Sequence, residues 1–137
     1  HAGLSGTLMA QVKIYGLRSE LDAQRDGLSE AIHRSVVEAL AYPADKRFHR
    51  FIGLAAEDFI FPADRSESYT IIEISMFSGR TTEAKKALIR ALYANVGETC
   101  GISAQDLEIT IVETPRENWG IRGLPGDELT LGYQVEV

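Results

Sequence analysis

What this chain has little of sets the first limits on it. A single cysteine, Cys100, excludes an internal disulfide, and no apolar run approaches the roughly 20 residues that a membrane-spanning helix needs. Basic residues are outnumbered, 14 Lys and Arg against 20 Asp and Glu for a net charge of -6, and they form no cluster, so nucleic acid is not an expected partner. The three histidines, His1, His33 and His49, lack metal-ligand spacing, and neither a metal nor a cofactor is expected. The cytoplasm is the expected compartment. With 137 residues, 45% of them hydrophobic, the chain can bury one substantial core and is too short for two ordinary domains.

What is there is a pattern that occurs twice. Thr70 to Phe77 is β-branched and aromatic, with Ile72, Ile74 and Met76 on one face, as a half-buried strand requires. After Ser78-Gly79-Arg80, Leu88, Leu92 and Val96 recur at helical spacing until Cys100-Gly101, where glycine suits a left-handed cap. Leu107 to Glu113 returns as a strand, which should lie parallel to the first. The first half is a degenerate copy. Gln11 to Tyr15 is a strand ended by Gly16; Ser19 suits an N-cap; Leu21, Leu28, Ile32, Val36 and Leu40 mark a helix that stops near Tyr42-Pro43; Phe48 to Leu54 is the second strand. His33, on that helix, is expected at the surface. Two consecutive β-α-β units imply an α/β two-layer sandwich, a four-stranded sheet with two helices on one face.

Three further segments flank these units. The connection Ala55 to Ser68 carries Phe59 and Phe61; it either lines a site or packs as a lid on the sheet edge. Leu129 to Val137 alternates cleanly as a C-terminal strand with no obvious partner inside one subunit. Residues 1–8 are small and do not begin with Met, whereas Met9 directly precedes the first strand, so they read as a vector remnant or a flexible extension ahead of one domain over 9–137.

The order strand, Gly79-Arg80-Thr81, helix with the pair Lys85-Lys86, strand, then Trp119-Gly120-Ile121-Arg122-Gly123 resembles the tautomerase superfamily, notably its 4-oxalocrotonate tautomerase and malonate semialdehyde decarboxylase groups. The resemblance runs from Met9 over nearly the whole chain. It implies isomerase, lyase or hydratase chemistry on a small enolisable keto acid and a homotrimer with sites at the subunit contacts. Exposed apolar residues such as Ile71, Phe77 and Val112 on the strand face away from the helices point to assembly as well.

The same resemblance assigns candidate residues. The family's catalytic proline falls on Ala10, a departure; were Met9 removed, a primary amine there, with a reference pKa of roughly 7.7–8.0, could still act as base or form a Schiff base. Arg80 takes the place of the carboxylate-binding arginine and can stabilise enolate charge. Ser78 stands where the decarboxylases carry a second arginine, and Lys46 where they carry a catalytic aspartate, with Asp45 adjacent. Arg47 and His49 open the second strand, where related enzymes place another arginine, although a lone histidine more often serves as a structural hydrogen-bonder. Trp119 matches the aromatic wall of the pocket, or it anchors a subunit contact; the role of Arg122 stays open. The competing reading is a trimer that binds small carboxylates without turning them over.

Overall fold

Alternation of apolar and polar side chains fixes which face of each strand is covered. The computed structural model describes residues 9–129, in which β1 (Ala10–Leu17), β2 (His49–Leu54), β3 (Thr70–Phe77) and β4 (Leu107–Thr114) make one sheet in the order β2-β1-β3-β4. β1 is parallel to β2, β3 is parallel to β4, and β1 meets β3 antiparallel at the centre. Each parallel pair is bridged by a helix, α1 (Arg18–Leu40) and α2 (Thr82–Cys100), as a parallel connection demands. Val12, Ile14, Ile72, Ile74 and Met76 are at most 2% exposed beneath Leu21, Leu28 and Ile32 of α1 and Leu88, Leu92 and Val96 of α2. At about 1.5–3 kcal/mol for each large aliphatic side chain buried, this interlayer dominates the favourable side of folding. The result is the expected two-layer sandwich.

The helix ends differ from expectation in instructive ways. α2 is capped by Thr81, whose Oγ1 accepts from the Ala84 N–H at 3.0 Å, and it closes on Gly101 at φ 70°. α1 has no side-chain cap, and Ser19, expected to cap it, lies inside the first turn. The cause is that β1 does not stop at Gly16: it pairs with β2 through Leu17 and runs straight into Arg18. Gly16 is needed for closeness instead, because a Cβ there would come within 3.0 Å of Leu21. At its other end α1 stops at Leu40, with Ala41 left-handed at φ 51° ahead of Pro43.

That left-handed step folds the chain back along α1, and it corrects a second expectation. His33 is 7% exposed, not superficial, with Nε2 2.7 Å from the carbonyl oxygen of Ala44. Phe77 is likewise covered within the chain, at 7% exposure, by Trp119 edge-on at 5.2 Å and by the Arg116 guanidinium. Val112 remains 44% exposed and Ile71 half-buried on that outer face. Beyond β4 a small hairpin, β5 (Gly120–Ile121) and β6 (Leu124–Pro125), turns through Arg122 and Gly123, both at positive φ, as a two-residue hairpin turn prefers. The expected C-terminal strand, apart from Leu129, and the segment 1–8 lie outside the described residues.

Candidate active site

β1 and β3 are antiparallel, so the start of one lies at the end of the other. Ala10 pairs with Met76, and Met76 pairs with Glu113 across β4. Ser78, Arg80 and the Trp119 hairpin follow directly from β3 and β4, so four of the expected site residues, Ala10, Ser78, Arg80 and Trp119, gather at one end of the sheet.

The C-terminus of α1 organises this end. Its last carbonyls have no intrahelical partner and carry the negative end of the helix dipole, and its last turn contains no basic residue. Arg80, from the second β-α-β unit, supplies the missing cation: Nη1 donates to the Leu40 carbonyl at 2.9 Å. Burial pulls the Arg80 guanidinium below its ordinary pKa, an effect opposed by Tyr42 and Glu113, and an arginine stays charged through such a shift. Among the described residues no carboxylate stands within ion-pair distance of Arg80. A half-buried cation without a counter-ion suits a ligand carboxylate.

Tyr42, two residues past the helix, turns back under the sheet, where it is 4% exposed, and its hydroxyl accepts a hydrogen bond from the Ala10 N–H at 3.3 Å. Burial raises the phenol pKa, while the Ala10 N–H and Arg80 oppose the rise and Asp45 adds to it. Glu113 is held by Lys85 at 2.8 Å through Oε1, and its Oε2 is buried with no partner. On the outer side, Trp119 Nε1 donates to Thr114 Oγ1 at 2.7 Å, fixing the indole against Phe77. Ser78 contributes backbone alone: its N–H donates to the Thr114 carbonyl at 2.9 Å, and its side chain is exposed.

Arg47 and His49 lie at the same end of the sheet but on the far side of β1 from this group, Arg47 just before the edge strand and His49 its first residue, opposite Val12. His49 Nδ1 lies 2.8 Å from Ser29 Oγ, and Arg47 donates to Ser29 and to Glu30 at 3.2 and 3.1 Å. Burial, helped by the charges of Arg47 and His33, lowers the His49 pKa from 6.5 to about 4, so the ring is neutral. With Gln11, Phe48 and Arg50 they line an open cleft of about 310 Å³, in which Arg50 donates to Gln11 at 2.9 Å. Lys46 and Asp45 are exposed on the turn before β2.

Sequence reasoning missed Tyr42, Glu113 and Lys85. Tyr-Pro reads in the sequence as a helix stop, Glu113 as a strand end and Lys85 as half of a helical lysine pair; only the strand register brings them to one place. Among the described residues no three His, Cys, Asp or Glu side chains stand close enough to hold a metal ion, and no helix is long and apolar enough to cross a membrane.

Comparison with known proteins points the same way. The chain is 27% identical over 114 residues, 80% of its length and 88% of the relative's, to the probable tautomerase YusQ of Bacillus subtilis. It is 39% identical over 57 residues to 2-hydroxymuconate tautomerase of Pseudomonas putida, covering 42% of this chain and 90% of that enzyme. Crystallised malonate semialdehyde decarboxylase shares the fold with a TM-score of 0.74 over 84% of this chain and 93% of that one, at 22% identity. A wild-type fused 4-OT in its asymmetric trimer does so at 0.76, over 85% and 96%, with 20% identity. The family described as tautomerase enzyme matches residues 46–122, more than half of the chain, and this protein belongs to that family.

Proposed function

We propose that the protein is a tautomerase-like isomerase, or a related lyase or hydratase, that acts on a small enolisable keto acid. The observation that carries this reading is Arg80, a half-buried guanidinium anchored by one N–H on the Leu40 carbonyl and, among the described residues, left without a carboxylate of its own. Arg80 binds the substrate carboxylate with its remaining donors and stabilises the negative charge that spreads onto oxygen as the keto acid enolises. The nitrogen of residue 10, at the same end of the sheet, carries the proton between carbons. For that it must be an amine, which requires the chain to open between Met9 and Ala10; a primary amine of reference pKa roughly 7.7–8.0 then suffices near neutral pH. Trp119 walls one side and keeps water from the enolate.

Three copies complete the site. The half-buried outer face, with Ile52, Ile71 and the exposed Val112, has no helix over it among the described residues, and a trimer covers it while bringing the Arg47–Arg50 cleft of one subunit towards the pocket of the next. Light scattering should then report three subunits, whereas a stable monomer of the full chain would contradict the assembly.

The alanine at position 10 favours one second reading, a carboxylate-binding protein without turnover. Ketonisation assays on the full chain and on a chain that starts at Ala10 decide the first reading, which expects activity from the second protein that Arg80→Ala abolishes. Thermal shift with keto acids and dicarboxylic acids separates the other: stabilisation without turnover in either protein supports binding alone.

A further inference from the structure

The Ala10 nitrogen and Arg80, which come from different β-α-β units, are both held where one helix ends, by its last residue and by the turn that follows it. Leu40, the final residue of α1, accepts from Arg80 through its carbonyl, and Tyr42 accepts from the Ala10 N–H through its hydroxyl. The hinge between these two anchors is rigid: Ala41 is fixed left-handed and Pro43 fixes the next turn. Tyr42 itself is packed into the core, and among the described residues the Ala10 N–H is its only hydrogen-bond partner. A buried hydroxyl with its acceptor used and its own proton uncommitted is not explained by packing, since phenylalanine would fill the same volume.

We infer that Tyr42 is a positioning residue that orients the nitrogen of residue 10 and sets its basicity. The inference rests on the reading above in taking that nitrogen as the proton carrier. When the nitrogen is an amine, a hydrogen bond donated to Tyr42 turns the lone pair away from the phenol. It also stabilises the protonated amine, because an ammonium donates more strongly than an amine. Burial and the Arg80 charge act the other way, and Asp45, on the turn after α1, acts with Tyr42. Glu113 on β4, paired with Lys85 on α2, opposes Arg80 from the far side. Removing the Tyr42 oxygen therefore leaves burial and Arg80 with less opposition, and the amine becomes less basic.

The test uses Tyr42→Phe, which keeps the ring, in two proteins. In the full chain, amide exchange at Ala10 measured by NMR should quicken by about fivefold once its acceptor is gone, as expected for loss of a net ~1 kcal/mol bond. In the chain starting at Ala10, the pH at which acetic anhydride half-modifies the α-amine, read by mass, should fall by about half a unit to one unit. Where ketonisation is measurable, kcat should fall and KM stay within about twofold, because Arg80 still grips the carboxylate. Unchanged exchange at Ala10, or an amine that titrates alike in both variants, would overturn the inference. If the amine titration shifts as described and neither protein ketonises any keto acid, the inference stands and the proposed activity falls, so the two failures are distinguishable.

Discussion

At one end of the sheet Arg65, Tyr69 and Glu108 close on one another; at the other, Arg80, Tyr42 and Glu113 do not. Arg65 donates to Glu108 at 2.6 Å and to Asp64 at 2.9 Å, Tyr69 hydrogen-bonds the same Glu108, and Phe59, Phe61 and Tyr69 pack ring against ring at 5.1 to 5.4 Å. Asp106 alongside accepts from the Ser66 N–H at 2.8 Å and from its hydroxyl. Each carboxylate there has its donors, and the Tyr69 pKa is pushed up to about 12, so the ring stays neutral. At the Ala10 end the arginine is tied to a backbone carbonyl, the tyrosine to a backbone N–H and the glutamate to a lysine, which among the described residues leaves the guanidinium without a carboxylate and one glutamate oxygen without a donor. Arginine, tyrosine and glutamate satisfy one another at the first end, apart from the buried Arg65 Nε, whereas at the second the backbone and a lysine hold them, as the proposed site requires.

The sharpest way to break this contrast is to remove one arginine from each end. In the chain that starts at Ala10, Arg80→Ala should lower kcat/KM for keto acid ketonisation by about 100-fold or more, roughly 3 kcal/mol of transition-state stabilisation, while stability falls by only the ~1 kcal/mol of its bond to the end of α1. Arg65→Ala should lower the melting temperature further, while kcat/KM stays within about twofold. Equal losses of activity from both would show that the two ends are not functionally distinct.

A second change acts on the Trp119 hairpin, the wall of the proposed site. A Cβ on Gly126 would lie 2.3 Å from the Arg116 carbonyl oxygen and 3.2 Å from Trp119 Cβ, and neither backbone nor indole can yield cheaply. Gly126→Ala should cost about 1–3 kcal/mol by denaturant unfolding and shift the emission of Trp119, the single tryptophan. An unshifted spectrum would mean that the hairpin is looser than its contacts indicate.

The smallest expected effect concerns acid. His49 has a folded pKa of about 4 against 6.5 when free, so the unfolded chain binds the proton first. The stability that neutral His49 contributes is therefore present above pH 6.5 and is lost as pH falls through 6.5 towards 4. Partial exposure limits it to about 1–2 kcal/mol. Urea unfolding between pH 7 and pH 4 should show that slope, and His49→Asn should flatten it.

Much of the architecture is legible in the residues. The stripes Leu21–Leu40 and Leu88–Val96, and the alternation in β1 and β3, follow from periods of 3.6 and 2 that only one layer arrangement buries. The pairing of Ala10 with Met76 is not legible, because β1 and β3 are separated by a helix, a strand and a long connection, and no local pattern sets their register. That register decides the site. It places Tyr42 and Glu113 beside Arg80, and it leaves Arg47 and His49 across β1 with Ser29. His33 misleads for a related reason: its place on the helix is readable, whereas the return of the chain past Ala41 that covers it depends on one left-handed residue without a glycine to announce it.

The central claim, that the end of the sheet holding Ala10 and Arg80 receives a keto acid, is tested most directly by titrating the ¹⁵N-labelled full chain with pyruvate, the smallest such acid. Resonances of the Ala10 amide, the Arg80 guanidinium and the Trp119 indole should move together, while those of Arg65, Tyr69 and Glu108 stay in place. Shifts confined to the Arg65 end, or none at saturating pyruvate, would contradict the account.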